Sequence, residues 1–404
     1  MNNVYIVSMG VGSKKFMTFE AVEIINSCDV VIGGKRYINC YDDKEKFEIK
    51  NNLSDVIEYI DKNHKLKKIA ILASGDAFMY GIGSYIVKKL NHINFKNISG
   101  ISSIQYLANV CGLSWQDIYI TSVHARKKDI CSIVSQNSKI GILTDSNTSE
   151  IINKLYNNNF GDLYIYIGQN LSYEDEKILV GNIKEFINEE FSDLCILIII
   201  NNSKKFYNYI STGIPDELFE RDKVPMTKEE VRALSLSKLK LTDNSIVFDI
   251  GCGTGSVTVE CGIILKNGFV YSVDRNREAV NLTNKNIKKF NIYNAKVFED
   301  DAIHFLKSTN IIPTRVFIGG SGNKINEILN IIYNKCDNVR IVVNCITIES
   351  LYETIKFLND IGYINIECVS VSVSKNKKAG SKNMMIAQNM VYIITGEKGN
   401  ISER

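Results

Sequence analysis

Residues 245–255 run from an apolar stretch, Ser245 to Phe248, through Asp249-Ile250-Gly251-Cys252-Gly253-Thr254-Gly255 and into a helix-like segment. Three alternate glycines between a strand and a helix constrain the fold more than any other feature of the chain. A side chain at such a turn blocks close backbone approach to a ligand, and such turns often need the positive φ that glycine adopts freely. The spacing is G-x-G-x-G with Ser256 in the sixth place, so it departs from the G-x-G-x-x-G of dinucleotide loops. A second apolar run, Phe269 to Val273, ends in Asp274, which is suitably placed to accept hydrogen bonds from a ribose diol.

Strand, glycine turn, helix, second strand and acid in this order resemble the S-adenosylmethionine (SAM) site of a Rossmann-like methyltransferase more than an ordinary glycine turn. Asp249, Gly251, Gly253, Thr254, Gly255 and Asp274 are its candidate cofactor residues. Asp301, after a third strand, stands where such folds commonly place an acid beside the adenine amino group; a solvated loop carboxylate is the other reading. The fourth strand ends in Gly319-Gly320-Ser321-Gly322, where amino-directed DNA and RNA methylases carry an Asn/Asp-Pro-Pro-aromatic motif that is missing here. This loop leaves room for a large flat substrate or offers backbone amides to carboxylates, unless it is only a tight turn. Methyl transfer from a sulfonium needs alignment and exclusion of water more than acid or base chemistry, so no catalytic triad is expected and no catalytic residue is assigned.

At 404 residues the chain is long enough for two ordinary domains. The net charge of +3 argues against a dedicated nucleic-acid binder. Ten cysteines without a C-x-x-C pair, and only four histidines, imply reduced thiols and no bound metal. No signal peptide is expected, and the longest apolar run, Leu194 to Ile200, is a buried strand rather than a membrane span, so a cytoplasmic location is expected. Residues up to about 200 read as an α/β unit with strands near Val4, Ile69, Ile140, Leu163 and Leu194, followed by a polar linker from Asn201 to Thr212. Thr227-Lys228-Glu229-Glu230 has capping-box spacing and predicts a helix carrying Val231, Leu234 and Leu239. Two late β-rich runs, Asn365 to Ser374 and Met390 to Thr395, predict a terminal antiparallel hairpin.

The first half carries Gly10-Val11-Gly12, Ser74-Gly75-Asp76 and Gly100-Ile101-Ser102-Ser103 at strand ends, which together suggest a second nucleotide-like pocket; Asp76 orients a ligand there or caps the next turn. These segments, with Trp115-Gln116-Asp117, Ser122-Val123-His124-Ala125-Arg126 and Gly168-Gln169-Asn170-Leu171, resemble the tetrapyrrole methylases of the cobalamin pathway, specifically the C5-methylating precorrin enzymes. Gly213-Ile214-Pro215-Asp216, Pro225 to Arg232, the glycine turn, Phe317 to Gly322 and Val342-Val343-Asn344 resemble their C15-methylating, decarboxylating partners.

The resemblance implies a bifunctional precorrin-6Y C5,15-methyltransferase family, acting on precorrin-6 or its cobalt counterpart and yielding a precorrin-8 species. The fold implied is a tetrapyrrole-methylase (class III SAM methyltransferase) α/β unit over 1–205, followed by a Rossmann-like class I SAM methyltransferase over 206–404. One SAM per domain is implied: the first near Gly10, Asp76, Ser102, Ser103 and Gly168, the second near Thr227, Gly251, Gly253, Gly255, Asp274 and Asp301. The implied partner is the tetrapyrrole substrate, with no nucleic acid and no membrane, and a homo-oligomer is expected. Gly319, Gly320, Ser321, Gly322, His124 and Arg126 are the candidate substrate residues.

Relatives of the first half usually carry proline where Ser13, Ala77 and Ser99 stand, which predicts looser loops there by about 1 kcal/mol of chain entropy. A corrin precursor bears many carboxylates, so Arg126-Lys127-Lys128 and Lys375, Lys377, Lys378 and Lys382 are candidate basic rims, solvated surface being the alternative for the late cluster. His304, beside an apolar stretch, reads as a packed side chain. The competing functions are an RNA methyltransferase, or one active half with a SAM-sensing or scaffolding partner.

Overall fold

A computed structural model describes residues 3–123, 129–202, 211–322 and 324–399. The chain divides into two compact units, residues 1–203 and 204–404.

The first unit opens with strands β1 (Val4–Ser8), β2 (Val30–Gly33), β3 (Glu45–Glu48), β4 (Ile69–Ala73) and β5 (Phe95–Ile98). They form one parallel sheet in the order β3-β2-β4-β1-β5. Both faces are covered: Val4, Ile6, Ile69 and Ile71 pack with Val56 and Ile60 of the helix Leu53–Asn63, while Val7, Ala70 and Leu72 pack with Ala21 and Ile25 of the helix Phe19–Ser27. Burial on both sides is why β2 and β4 read as unbroken apolar runs. A second sheet holds β6 (Tyr119–Ser122), β7 (Lys139–Leu143), β8 (Tyr164–Gln169), β9 (Lys177–Asn182) and β10 (Cys195–Ile200), ordered β6-β7-β10-β8-β9. The apolar run from Leu194 supplies its central strand. Among the described residues no helix is long and apolar enough to cross a membrane.

The second unit builds on β11 (Ile246–Ile250), β12 (Phe269–Asp274), β13 (Ala295–Glu299), β14 (Arg315–Ile318) and β15 (Val339–Cys345), all mutually parallel. The chain then adds β16 (Ile364–Val371), a projecting ribbon of β17 (Ser374–Ala379) and β18 (Lys382–Ala387), and β19 (Val391–Lys398). The sheet order is β13-β12-β11-β14-β15-β19-β16, and β19 runs antiparallel to both neighbours. The terminal antiparallel pair is therefore β16 with β19. Side chains alternate between the two faces, Phe248 and Ile250 on one and Val247 on the other.

One buried charge cluster ties this unit together. Arg232, on the helix Glu229–Leu239, is fully buried, and its Nε donates to Glu260 Oε1 at 2.5 Å. Its Nη1 donates to the Thr227 carbonyl at 2.6 Å and to Asp216 at 3.2 Å, its Nη2 to the Ile214 carbonyl, and its guanidinium lies 4.8 Å from the Phe219 ring. Glu260, on the buried helix Ser256–Ile264, also accepts from the backbone N–H groups of Gly213 and Ile214. The segment 213–227 is thus fastened to the helix that follows the glycine turn.

This cluster corrects the expected capping box. The helix begins at Glu229 with Lys228 as its N-cap and no side-chain cap bond. Thr227 is held by its carbonyl, and Glu230 pairs with Lys375 at 2.7 Å instead of reaching back to the backbone. Replacing Arg232 by Met strands a buried carboxylate, a change that typically costs about 3 to 5 kcal/mol. We expect the urea transition of the C-terminal unit to move by that amount, with hydrogen exchange rising first at 213–219.

Candidate functional site

The carboxyl ends of β11, β12 and β14 open on a cleft of about 730 Å³. It lies where the strand order reverses between β11 and β14, the usual ligand position of an open α/β sheet. Of the sequence candidates, Thr227, Gly251, Gly253, Asp274, Asp301, Gly319, Gly320, Ser321 and Gly322 line it. Asp249, Thr254 and Gly255 are buried beneath the turn and do not.

The cleft is open because backbones touch where side chains would stand. Gly251 has φ +72°, and a Cβ on it would lie 2.7 Å from the Gly320 carbonyl oxygen. Gly253 has φ +58°, and its Cβ would lie 2.6 Å from the Pro225 carbonyl oxygen. The turn, the strand-end loop at 319–322 and the segment fastened by Arg232 therefore meet at van der Waals distance only because these residues are glycine.

Asp274 is fixed by the turn it faces. Its Oδ2 accepts from the Gly253 N–H at 3.0 Å and its Oδ1 from the Asn276 N–H at 2.9 Å, leaving further lone pairs toward the cleft. Asp301 caps the helix Ala302–Ser308 through the Ile303 N–H and pairs with Lys324 at 3.0 Å, and the Lys324 bond holds its carboxyl below the usual range. It is neither free nor merely solvated. His304 is exposed and pairs with Asp300, so the expectation of a packed histidine is wrong: on the helix its ring turns away from Phe305 and Leu306, which are buried.

Beneath the turn, Asp249 Oδ2 accepts from the Thr258 hydroxyl at 2.5 Å, which also lies 2.7 Å from the Ser272 hydroxyl. Asp249 Oδ1 and the Thr254 hydroxyl are buried without partners. Burial pushes the Asp249 carboxyl up to about 7, against the Thr258 hydrogen bond.

In the first unit the strand-end loops also converge. Gly10 and Gly75 exchange backbone hydrogen bonds, and a Cβ on Gly100 would lie 2.6 Å from Ser8 Cβ. Asp76 Oδ1 accepts from the Phe78 N–H at 2.9 Å, so it does cap its own turn. Ser102 caps the helix Ser103–Val110 by accepting from the Gln105 N–H, and Gly168 packs against Leu107 of that helix and Leu171. His124 and Arg126, with Lys127 and Lys128, lie outside the described residues.

At two of the three positions where proline is missing, the backbone N–H is put to use. The Ala77 N–H donates to Ser8 Oγ at 2.9 Å and the Ser13 N–H to Ser172 Oγ at 2.9 Å, bonds that a proline at either position lacks the hydrogen to make. The late lysines also sit elsewhere than at the cleft wall: Lys375 is neutralised by Glu229 and Glu230, and Lys377, Lys378 and Lys382 lie exposed on the ribbon. The cations of the cleft are Lys228, Arg275 and Lys324. Sequence reasoning missed them, although each lies within two residues of a residue it had chosen.

Asp249 gives a pH test. The folded state holds its proton to about pH 7, whereas the unfolded chain releases it near pH 3.9, so this residue's contribution to stability falls as pH rises between those values. Asp249→Asn should remove a slope of up to about 1.4 kcal/mol per pH unit, read from urea midpoints at a series of pH values from about 4 to 8.

Two family models match. That of the tetrapyrrole (corrin/porphyrin) methylases covers residues 3–187, and that of the precorrin methyltransferase domain covers residues 217–398. A probable cobalt-precorrin-6B C(15)-methyltransferase (decarboxylating) of Saccharolobus solfataricus is 43% identical over 198 residues, 48% of this chain and 98% of that protein. A protein of the same description from Methanococcus maripaludis is 42% identical over 179 residues, 44% of this chain and 95% of the relative. Among solved structures, a precorrin-6y C5,15-methyltransferase from Geobacter metallireducens is 37% identical, with 46% of this chain and 97% of that one covered and a TM-score of 0.44.

Proposed function

This chain belongs to the precorrin methyltransferases, and we propose that it methylates a precorrin-6 or cobalt-precorrin-6 macrocycle at two carbons. The C-terminal unit methylates C15 with loss of carbon dioxide from the ring C acetate, and the N-terminal unit methylates C5, giving a precorrin-8 species of cobalamin biosynthesis. Family membership sets aside the RNA methyltransferase. The partner is a tetrapyrrole.

The observation that carries this reading for the C-terminal unit is the Asp274 carboxylate, locked by the Gly253 N–H beside a backbone cradle that any Cβ at Gly251 or Gly253 would fill. Those residues fit SAM. The bound cofactor supplies a methyl carbon already activated toward displacement, which leaves the protein to align and to exclude water. In this reading Asp274 accepts from the ribose hydroxyls, Asp301 faces the adenine amino group, and Asp249, Thr254 and Gly255 support the turn from below. Gly319 to Gly322 leave one wall of the cleft free of side chains except Ser321, which suits a flat macrocycle. Lys228 and Arg275 would meet its carboxylates.

For the N-terminal unit, the convergence of Gly10, Asp76 and Ser102 at the strand ends supports a second SAM position, with Ser103 and Gly168 beside it. On this reading each unit binds one SAM.

Full-length protein given methyl-labelled SAM and a precorrin-6 substrate should transfer two labels to the macrocycle and release carbon dioxide. Label reaching RNA but never the macrocycle would overturn the proposal. Asp274→Ala should weaken one of two SAM sites by roughly 1 to 3 kcal/mol in calorimetry, the usual loss for a hydrogen bond to a charged group. Unchanged binding would move the ribose contact elsewhere.

A further inference from the structure

Arg36 stands in the short helix Lys35–Ile38, directly after β2, at the same carboxyl end of the first sheet as Ser74, Gly75 and Asp76 after β4. Its Nη2 donates to the Ser74 hydroxyl at 2.9 Å, and its guanidinium lies 4.6 Å from the Tyr37 ring centroid. Two contacts therefore fix a side chain that is otherwise exposed. Among the described residues no carboxylate lies within ion-pair distance of it, whereas Lys44, Lys46, Lys67 and Lys96 of the same half each have one.

Lys14, Lys15, Lys35 and Lys65 also lack an ion pair, but Arg36 is the one guanidinium among the described residues of this half, and it is held by both a hydroxyl and a ring. Its planar fork matches a carboxylate with two parallel N–H bonds, and immobilising it beforehand lowers the entropy cost of binding. Tyr37 is almost fully buried and its hydroxyl has no partner, so the ring is useful for its face rather than for its oxygen. Tyr173 connects this group to the loop after β1. Its ring packs where a Cβ on Gly12 would stand, and the Arg36 charge opposes the upward push that burial gives its phenol. Arg36 thus borders the Ser74-Gly75-Asp76 turn, and Tyr173, within reach of its charge, packs on the Gly10 to Ser13 loop; the two segments border the proposed first SAM position.

We propose that Arg36 is the anchor for a peripheral carboxylate of the tetrapyrrole in the N-terminal unit, held in place by Ser74 and Tyr37. The inference rests on the reading of that unit as a C5 methylase, and its test separates the two.

In the full-length protein, Arg36→Ala should raise the KM for the tetrapyrrole in the C5 transfer roughly 10- to 100-fold, the range for a lost charge-assisted contact. Carbon dioxide release and both SAM affinities should stay unchanged. Arg36→Lys should recover only part of the loss, since an ammonium lacks the fork. Tyr37→Phe should match wild type, and Tyr37→Leu should resemble a mild Arg36→Ala. A fall in SAM affinity with unchanged KM would make Arg36 a cofactor residue and overturn the inference, as would no effect on either. If the wild type transfers no methyl to C5, the functional reading of the unit fails. Equilibrium binding of the tetrapyrrole, followed by its absorbance, then decides the anchor: equal affinity in Arg36→Ala and wild type overturns it, and weaker affinity in the variant supports it.

Discussion

The Arg232–Glu260 pair is the interaction on which the C-terminal unit depends. It sits on two helices, one before the first strand of the sheet and one just after the glycine turn. The pair's other hydrogen bonds go to the stretch from Gly213 to Thr227, through the backbone of Gly213, Ile214 and Thr227 and the Asp216 carboxylate. A buried charge pair returns its desolvation cost only when its other hydrogen-bonding positions are filled. Filling them with backbone groups turns an irregular segment into a fixed wall. That wall supplies Val224, Pro225, Met226 and Thr227 to the cleft, so the electrostatic requirement of one arginine shapes the site.

Such a wall lets the glycines work. Asn286 reinforces it by donating to the carbonyls of both Glu220 and Thr254, which binds the segment to the turn from a second helix. With the segment and the strand-end loop held on either side, the turn has no room for a Cβ at Gly251 or Gly253. The same closeness leaves two polar atoms without partners beneath it, Asp249 Oδ1 and the Thr254 hydroxyl. A buried acid with a raised pKa lowers stability at neutral pH, and it lies directly under the proposed cofactor position. Unsatisfied polar atoms and a stability cost beneath a turn are what a site shaped for a ligand rather than for its own stability would carry.

Much of this was legible in the residues. Strands buried on both faces announce themselves as continuous apolar runs, and the alternate glycines with Asp274 mark the cleft in the sequence itself. Glu45–Glu48, Lys177–Asn182 and the ribbon at 374–387 do not, because exposed strands carry little apolar periodicity. Arg232 and Glu260 carry no local signal of their pairing, since each takes its meaning from a partner 28 positions away that only folding brings near. Thr227 was chosen for a hydroxyl bond and is held by its carbonyl. Local spacing could not reveal that competition, because the winning donor is a buried side chain one turn into the helix.

The N-terminal unit illustrates the same point in the opposite sense. Proline at a compatible site stabilises by about 0.4 to 1 kcal/mol through the unfolded chain, so its absence at 13 and 77 argued for looser loops. Proline also deletes an N–H. Here the Ala77 and Ser13 amides donate to Ser8 and Ser172, and the first of these bonds is fully buried. A net contribution of about 0.5 to 1.5 kcal/mol for each is the same size as the entropy given up. The bonds also reach 69 and 159 residues along the chain, and the second joins the loop after β1 to the segment after β8. A proline would stiffen one loop by itself, whereas these amides fix two loops to distant hydroxyls, and it is the relative placement of those loops that a shared ligand would feel.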